Sequence, residues 1–165
     1  MLKSTTIKLF FIEIGELTYF AHRFFKELFN KPFEFKELIR QCYYIGNKSL
    51  LLVGVTGLII GLVITLQTRP TLEEFGAESW MPSMVSISII IEIGPVIIAL
   101  TFAGRIASGI GAELGSMRVT EQIDAMEVSG TNPFKYLVVT RILAATLMLP
   151  IVVILGDAIA LYGSF

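Results

Sequence analysis

Three apolar runs of membrane length constrain the fold more than any other feature of this chain. They cover residues 50–66, which carry no charge, 84–103, where Glu92 is the one charge, and 137–155, where Arg141 is the one charge. Each run approaches the roughly 20 residues that a helix needs to cross ~30 Å of hydrocarbon. The runs do not alternate with period two and are too long for tilted barrel strands. We therefore predict an all-α integral membrane protein with about three transmembrane helices.

The distribution of charge predicts the orientation of these helices. Eight Lys and Arg residues precede the first run, one lies in 67–83 and four lie between Arg105 and Arg141. The positive-inside rule then places the N-terminus and residues 104–135 in the cytoplasm and residues 67–83 outside. The chain is 54% hydrophobic with a net charge of −1, so it has no basic field for nucleic acid. Cys42 is the only cysteine, which excludes an intramolecular disulfide.

Residues 7–29 are rich in aromatic side chains, and their apolar positions recur every three or four residues. This pattern is typical of a helix that lies in the membrane interface, and a helix packed on a soluble partner is the alternative. We assign residues 1–48 to interfacial and elbow helices and 49–67 to the first transmembrane helix. Gly57 and Gly61 form a GxxxG pair there, which is either a helix-packing seam or ordinary membrane-helix glycine.

The second apolar run carries an acid one turn before a proline. Pro95 has no N–H and its ring clashes with the carbonyl of Ile91, so we expect a kink. Placing the Glu92 carboxyl in hydrocarbon costs roughly 2.5–3.5 kcal/mol on insertion scales. Something must offset that cost, either a buried partner that holds helices together or a cavity or dimer axis that the carboxyl lines. Glu92, Gly94 and Pro95 are therefore candidate site residues.

A ladder of small residues follows, and we assign 83–115 to the second transmembrane helix and its cytoplasmic extension. Two adjacent stripes repeat every four residues and predict close packing against another helix or subunit. The members of this small-residue ladder are Ala103, Gly104, Ala107, Ser108, Gly111 and Gly115. The glycine spacing matches neither GxGxxG nor a P-loop, which argues against nucleotide binding.

Residues 117–129 are predicted to form a short amphipathic helix, with Val119, Ile123 and Met126 on one face. Gly130 is placed to cap its end, and Asn132-Pro133 begins the third transmembrane helix, 133–162. The segment is either a solvated connector or a surface that docks on a soluble partner.

The segment from Glu92 to Arg141 resembles the MlaE/YrbE family of ABC-transporter permeases, which move phospholipids or related lipids across the bacterial envelope. The matching residues are Glu92-Ile-Gly94-Pro95-Val96, Phe102-Ala-Gly-Arg105, Gly111-Ala-Glu-Leu-Gly115, Met117-Arg-Val-Thr-Glu-Gln-Ile-Asp-Ala-Met-Glu127, Asn132-Pro133, Tyr136-Leu-Val-Val139 and Arg141. The similarity extends over nearly the whole chain and is weakest in the first 45 residues.

The resemblance implies a single, partial permease domain over 1–165 that is not an enzyme and binds no cofactor. ATP and Mg²⁺ would bind a separate cytoplasmic ATPase, onto which 117–129 would dock as the coupling helix. The implied coupling residues are Arg118, Glu121, Ile123, Asp124, Ala125, Met126 and Glu127. Further implied partners are a second permease copy in a homodimer, a periplasmic MCE-domain protein, a STAS-domain protein and membrane lipids. Glu92 matches the acid of the family's Glu-Leu-Gly-Pro motif, with Ile93 in place of leucine.

The resemblance also implies a multi-pass protein of the bacterial inner membrane with a cytoplasmic N-terminus. Family members have further membrane helices after the third, so we expect this sequence to be a fragment or a truncated product. An ion-coupled secondary transporter with Glu92 as its relay and a non-transporting membrane scaffold are the alternatives. ATP dependence of transport separates them from an ABC permease.

Overall fold

The structure is a computed structural model that describes residues 2–29 and 34–164, with side chains described from Leu9 onward. Within these described ranges, six α-helices follow one another and no strand occurs. The prediction of an all-α architecture is therefore confirmed. The helices are α1 (Leu2–Phe29), α2 (Phe35–Glu74), α3 (Met81–Ser88), α4 (Gly94–Val119), α5 (Gln122–Val128) and α6 (Thr140–Ser164).

In the part of the chain that the structure describes, three helical segments are long and apolar enough to cross a membrane, as predicted. The first is α2 itself. The second, Glu78–Val119, comprises a 3₁₀ turn at Glu78–Trp80, then α3, a π-helical segment at Ile89–Ile93 and α4. The third, Phe134–Ser164, comprises a π-helical segment at Phe134–Val139 and then α6. Each exceeds the hydrocarbon thickness, so charged helical turns project beyond it.

For residues 35–74, the sequence predicts an elbow helix, a transmembrane helix at 49–67 and part of a loop. The structure instead contains one uninterrupted 40-residue helix. No proline occurs between Phe35 and Thr68, so nothing removes a backbone donor where the charged turns meet the apolar ones. Pro70 falls in the last two turns, close to the helix end at Glu74.

Helices α2 and α6 run parallel to each other and form the main interface of the bundle. Tyr136 bonds to Glu37 at one end of this interface, and Thr65 bonds to Ser164 at the other. Between them, Cβ atoms added to Gly57 and Gly61 would meet the backbone carbonyls of Gly156 and Ala160. The Gly57/Gly61 pair is therefore a packing seam, because only glycine lets the two backbones approach this closely.

The second span runs antiparallel to α2 and α6 and closes a three-helix bundle. Ile98 and Phe102 of α4 are fully buried against Val53 of α2 and Val152 of α6. A second cluster joins Val85 and Ile89 to Ala160 near the opposite end. Because the exposed faces of all three spans remain apolar, the bundle presents a hydrocarbon-compatible surface.

The predicted irregularity before Pro95 is a local widening of the helix. The Gly94 N–H donates to the carbonyl of Ile89, five residues earlier, which is the π-helical pattern. Pro95 follows directly, and the helical span continues through it as α4. The π-helical segment therefore takes the place of the expected kink, and the second span stays helical from Met81 to Val119. The second π-helical segment, Phe134–Val139, follows Pro133 and was not predicted.

The predicted helix at 117–129 begins later than expected. Residues 117–119 belong to the end of α4, and a turn at Thr120–Glu121 separates them from α5. The Thr120 hydroxyl donates to the carbonyl of Ser116, and Glu121 adopts a left-handed backbone conformation with φ 56°. α4 ends at this turn, and Val119 is 84% exposed and does not join Ile123 and Met126 on one face.

Helix α1 docks on the bundle through a small aromatic contact. The ring of Phe20 lies 5.2 Å from that of Phe134, and the Arg23 guanidinium lies 4.3 Å above the Phe134 ring. Many other large apolar side chains of α1 are exposed, among them Phe10, Phe11 and Leu17. Such exposure is what an interfacial helix requires, and the predicted membrane-surface location remains a prediction.

Candidate functional site

Glu92 lies in the π-helical segment of the second span with its side chain exposed. Within the described parts of the chain it makes no hydrogen bond and no ion pair. The other two candidate residues are less exposed than Glu92, since Gly94 is buried in the bundle and Pro95 is half-buried. The structure therefore does not bring the three predicted residues together in one pocket. The carboxyl faces whatever surrounds this bundle, which leaves the cavity or dimer-axis interpretation open.

Behind this segment lies a second intramembrane acid, Asp157 of α6, which the sequence analysis did not single out. A Cβ atom added to Gly94 would meet Oδ1 of Asp157 and would lie 2.5 Å from the Ile89 carbonyl oxygen. Oδ1 is buried and has no hydrogen-bond partner among the described residues. Asp157 thus lies against the end of the π-helical segment that contains Glu92. The signal that could have found it is a charge within the predicted span 133–162.

Arg141, the one charge of the third apolar run, forms an ion pair with Glu113. Its Nη2 lies 2.8 Å from Oε1 of Glu113, and its side chain is only 4% exposed, whereas that of Glu113 is 44% exposed. The Arg141 Nη1 also donates to the carbonyl of Leu137 at 3.4 Å. This pair ties the far part of α4 to the beginning of α6.

A cleft of about 240 Å³ with both charged and apolar lining residues opens beside this ion pair, between α2 and α4. Arg105 lies half-buried in it and donates through Nη1 to the Ser49 hydroxyl at 2.5 Å and to the carbonyl of Ile45 at 3.4 Å. Lys48 donates to the Tyr44 hydroxyl, also at 2.5 Å. The cleft therefore gathers two cations and several neutral hydrogen-bonding groups at one end of the bundle.

A buried carboxylate joins the same ends of α2 and the third span. Glu37 is 7% exposed and accepts hydrogen bonds from Gln41 at 2.8 Å and from the Tyr136 hydroxyl at 3.1 Å. Arg40 lies 3.4 Å from the same carboxylate. Sequence reasoning missed this network, because Glu37 has an ordinary place in a charged helical turn and its partner Tyr136 is 99 residues away.

The small-residue ladder lies on an open face of α4. Ala103, Gly104, Ala107 and Ser108 are exposed, as are Gly111 and Gly115. Cβ atoms added to the three glycines of the ladder would meet nothing within 4 Å among the described residues. The expected close packing is therefore not made by any described helix of this chain. The face is available to a partner or to another segment.

The predicted coupling residues cluster at the turn between α4 and α5. Arg118 at the end of α4 pairs with Asp124 of α5, with Nη1 and Oδ1 2.7 Å apart, and this bond spans the turn. The side chains of Glu121, Ala125 and Glu127 are exposed, whereas Ile123 and Met126 are half-buried.

Gly130 ends α5 as predicted. It has φ 79°, and its N–H donates to Glu127 while the next N–H donates to Met126. Over residues 2–29 and 34–164, no three His, Cys, Asp or Glu side chains are grouped as a metal site requires. α5 is a short, exposed helix between two membrane spans, and Gly130 caps its end.

Comparison with known proteins places most of the chain in one family. The model of the family described as "Permease MlaE" matches residues 38–165. A Rickettsia felis protein named "Probable ABC transporter permease protein" is 38% identical over 160 residues, which is 97% of this chain and 61% of the relative. The Haemophilus influenzae "Intermembrane phospholipid transport system permease protein MlaE" is 37% identical over 129 residues, 78% of this chain and 49% of that protein. A Synechocystis "Probable ABC transporter permease protein" is 36% identical over 128 residues, again 78% of this chain and 49% of the relative. The chain thus spans about half to three fifths of the length of these curated relatives.

Proposed function

The chain belongs to the MlaE permease family, and we propose that it is a membrane-spanning permease subunit of an ABC transporter for phospholipid or a related lipid. The transporter would move this lipid between the inner membrane and the outer envelope of a bacterium. The observation that carries the proposal is the family match over residues 38–165, which covers the second and third candidate spans, α5 and all but the first three residues of the first span. The name of the Haemophilus relative supports phospholipid as the substrate class.

The proposed subunit is not itself a catalyst. ATP and Mg²⁺ bind a separate ATPase on the cytoplasmic side, and the permease converts the motion of that ATPase into lipid access. The N-terminus and α5 then lie in the cytoplasm, and the turn between α2 and α3 lies outside, as the distribution of Lys and Arg indicates. An ion-coupled relay is less well supported, because Glu92 and Asp157 make no described hydrogen-bonded chain with each other.

Helix α5 is the proposed contact with the ATPase. It is short and exposed, and the Arg118–Asp124 ion pair links it to the end of α4. From there α4 extends without interruption over 26 residues back to the π-helical segment that contains Glu92. A displacement of α5 would therefore reach Glu92 through one continuous helix, with the Arg141–Glu113 pair carrying part of it to α6.

The remaining partners follow from the same family membership. A second copy of the chain forms a homodimer with lipid held between the two copies, and Glu92 lines that cavity or the dimer axis. The exposed small-residue ladder of α4 provides a face that a neighbouring membrane helix can approach closely. A periplasmic MCE-domain protein sits above the dimer, and a STAS-domain protein binds the ATPase.

Co-purification of the ATPase with an Ala125→Arg variant tests the proposal. Ala125 is exposed on α5, so a long cation there leaves the helix and the bundle intact while obstructing a docked surface. We expect at least a tenfold loss of bound ATPase with unchanged membrane insertion. The matched control is Thr71→Arg, which introduces the same cation at an exposed position of α2 at the opposite end of the bundle. Full ATPase recovery with Ala125→Arg would rule out α5 as the contact.

A further inference from the structure

The cleft between α2 and α4 contains an excess of positive charge that the described protein does not balance. Its charged lining groups are Lys48, Arg105 and Glu113, and the Glu113 carboxylate is already paired with Arg141. Arg105 donates only to neutral acceptors, the Ser49 hydroxyl and the Ile45 carbonyl, and Lys48 donates to the Tyr44 hydroxyl. No described carboxylate lies within ion-pair distance of either cation. An anion in the cleft would supply the missing charge and accept charge-assisted hydrogen bonds.

The position of the cleft along the helices matches the headgroup layer of a bilayer. Lys48 immediately precedes the uncharged run 50–66 of α2, and Arg105 follows the apolar run 84–103 of the second span. Both cations therefore lie where their helices leave the hydrocarbon, on the side that the charge distribution assigns to the cytoplasm. Tyr44, whose ring lies 3.8 Å from the Lys48 ammonium, is the type of residue that occupies this depth.

Apolar side chains continue from the cleft toward the membrane centre. Leu52, Val55 and Ile59 follow Lys48 at spacings of four, three and four residues, so they lie on the same side of α2. All three are exposed. An amphiphile whose anionic group enters the cleft could therefore lay an acyl chain along this stripe.

We propose that the cleft of Tyr44, Lys48, Arg105 and Ser108 binds the phosphate of an anionic phospholipid in the cytoplasmic leaflet. Arg105 and Lys48 contact the phosphate oxygens, and the stripe of Leu52, Val55 and Ile59 contacts one acyl chain. The cleft volume of about 240 Å³ accommodates a phosphate group with part of its glycerol. The inference rests on the membrane placement of the helices, and it holds whether or not the lipid bound there is the transported one.

Native mass spectrometry of the detergent-solubilised chain tests the site without ATPase or transport. Phosphatidylglycerol is the probe, and diacylglycerol, which lacks the phosphate, is the comparison. We expect the first bound phosphatidylglycerol to be retained about tenfold more strongly than diacylglycerol. Arg105→Gln should lower that retention about tenfold, because it removes a charge-assisted contact. Equal retention in Arg105→Gln and the unaltered protein would overturn the proposal.

Two further variants keep the test decisive. Arg105 also bonds to Ser49 and Ile45, so its replacement risks disturbing the bundle. Lys48→Gln removes the second cation from an exposed position and should lower phosphatidylglycerol retention several-fold. Arg69→Gln removes an exposed arginine at the other end of α2 and should leave retention unchanged.

Inorganic phosphate distinguishes the two sources of the same chemistry. If a lipid headgroup is the ligand, excess inorganic phosphate should displace phosphatidylglycerol only weakly, since it lacks the acyl contact. Complete displacement by inorganic phosphate would overturn the lipid assignment. If the unaltered protein retains phosphatidylglycerol but shows no ATP-driven lipid transport, that result would count against the proposed function alone.

Discussion

Gly61 and Gly104 are both glycines of membrane helices, yet their surroundings differ completely. A Cβ atom at Gly61 would collide with the carbonyl group of Ala160, whereas one at Gly104 would meet nothing within 4 Å among the described residues. The atoms that Gly61 approaches belong to the backbone of α6, so they cannot move aside as a flexible side chain can. Only the glycine of the seam is therefore required for the fold of this chain.

Gly61→Ala should lower the free energy of unfolding by about 1–3 kcal/mol, because the added methyl group forces α2 and α6 apart. Chemical denaturation in detergent micelles measures the change. Gly104→Ala is the matched control and should leave stability unchanged or raise it slightly, since alanine is the better helix former. Equal effects of the two substitutions would contradict the assignment of the seam.

Glu92→Ala should abolish most lipid transport while leaving the thermal stability of the bundle unchanged. The reason is that the exposed carboxyl makes no hydrogen bond or ion pair within the described chain. Transport into reconstituted vesicles and the melting temperature are the two measurements. Glu92→Gln removes the charge but keeps the shape of the side chain. If this variant transports lipid and the Glu92→Ala variant does not, a polar group at this position suffices for transport. A dissociated dimer in the Ala variant would favour a structural role for Glu92.

For single residues, a charge that interrupts an apolar run can be recognised from the sequence, whereas a charge that is buried by a distant residue cannot. Glu92 was recognised because it interrupts an apolar run. Asp157 is also a charge in an apolar surrounding, but it lies just beyond the third apolar run, 137–155. Only the structure shows that it lies against Gly94. Glu37 carries no local signal, since its burial depends on Tyr136 of the third span.

The turn between α4 and α5 depends on a backbone conformation that glutamate rarely adopts. Glu121 has φ 56°, and a left-handed conformation costs a non-glycine residue about 1–2 kcal/mol. The sequence predicted one helix over 117–129 because its polarity pattern continues across this point. The break instead lies at the left-handed Glu121, and the Arg118–Asp124 pair spans it; periodicity reveals neither feature.

Glu121→Gly should stabilise the turn by up to about 1 kcal/mol, because glycine adopts this conformation without strain. Amide hydrogen exchange of α5 measures the effect as slower exchange. Glu127→Gly is the control, since it places glycine inside α5 and should speed exchange through a loss of about 1 kcal/mol. Faster exchange in Glu121→Gly would mean that the glutamate side chain itself holds the turn.

The whole bundle requires that the two connections between spans lie on opposite sides of the membrane. The first connection follows α2 at Phe75–Ala77, and the second contains α5. The number of spans was predicted from the lengths of the apolar runs, and their orientation was predicted from the distribution of Lys and Arg. The parallel pairing of α2 with α6 was not, because glycines such as Gly156 mark a close approach without naming the partner. The open ladder of α4 shows the converse, a predicted contact face with no partner in the described chain.

Single cysteines at Thr71 and Thr131, introduced with Cys42→Ala, test the proposed orientation. Both positions are exposed and lie on opposite sides of the bundle. In spheroplasts, a membrane-impermeant maleimide should label Thr71→Cys and should label Thr131→Cys only after lysis. Cys42→Ala alone is the control and should remain unlabelled. Labelling of Thr131→Cys in intact spheroplasts would reverse the orientation.

The pairing of α2 with α6 also sets the order in which the protein can be made. The bonds that close this interface, Glu37 to Tyr136 and Thr65 to Ser164, each join residues 99 positions apart. While the ribosome is still synthesising α6, the Gly57/Gly61 groove has no partner from its own chain. Until that helix enters the bilayer, lipid or the insertion machinery must occupy the groove. Substitutions in the seam should therefore reduce the yield of inserted protein during translation as well as the stability of the finished bundle, and pulse-chase labelling would measure that loss of yield.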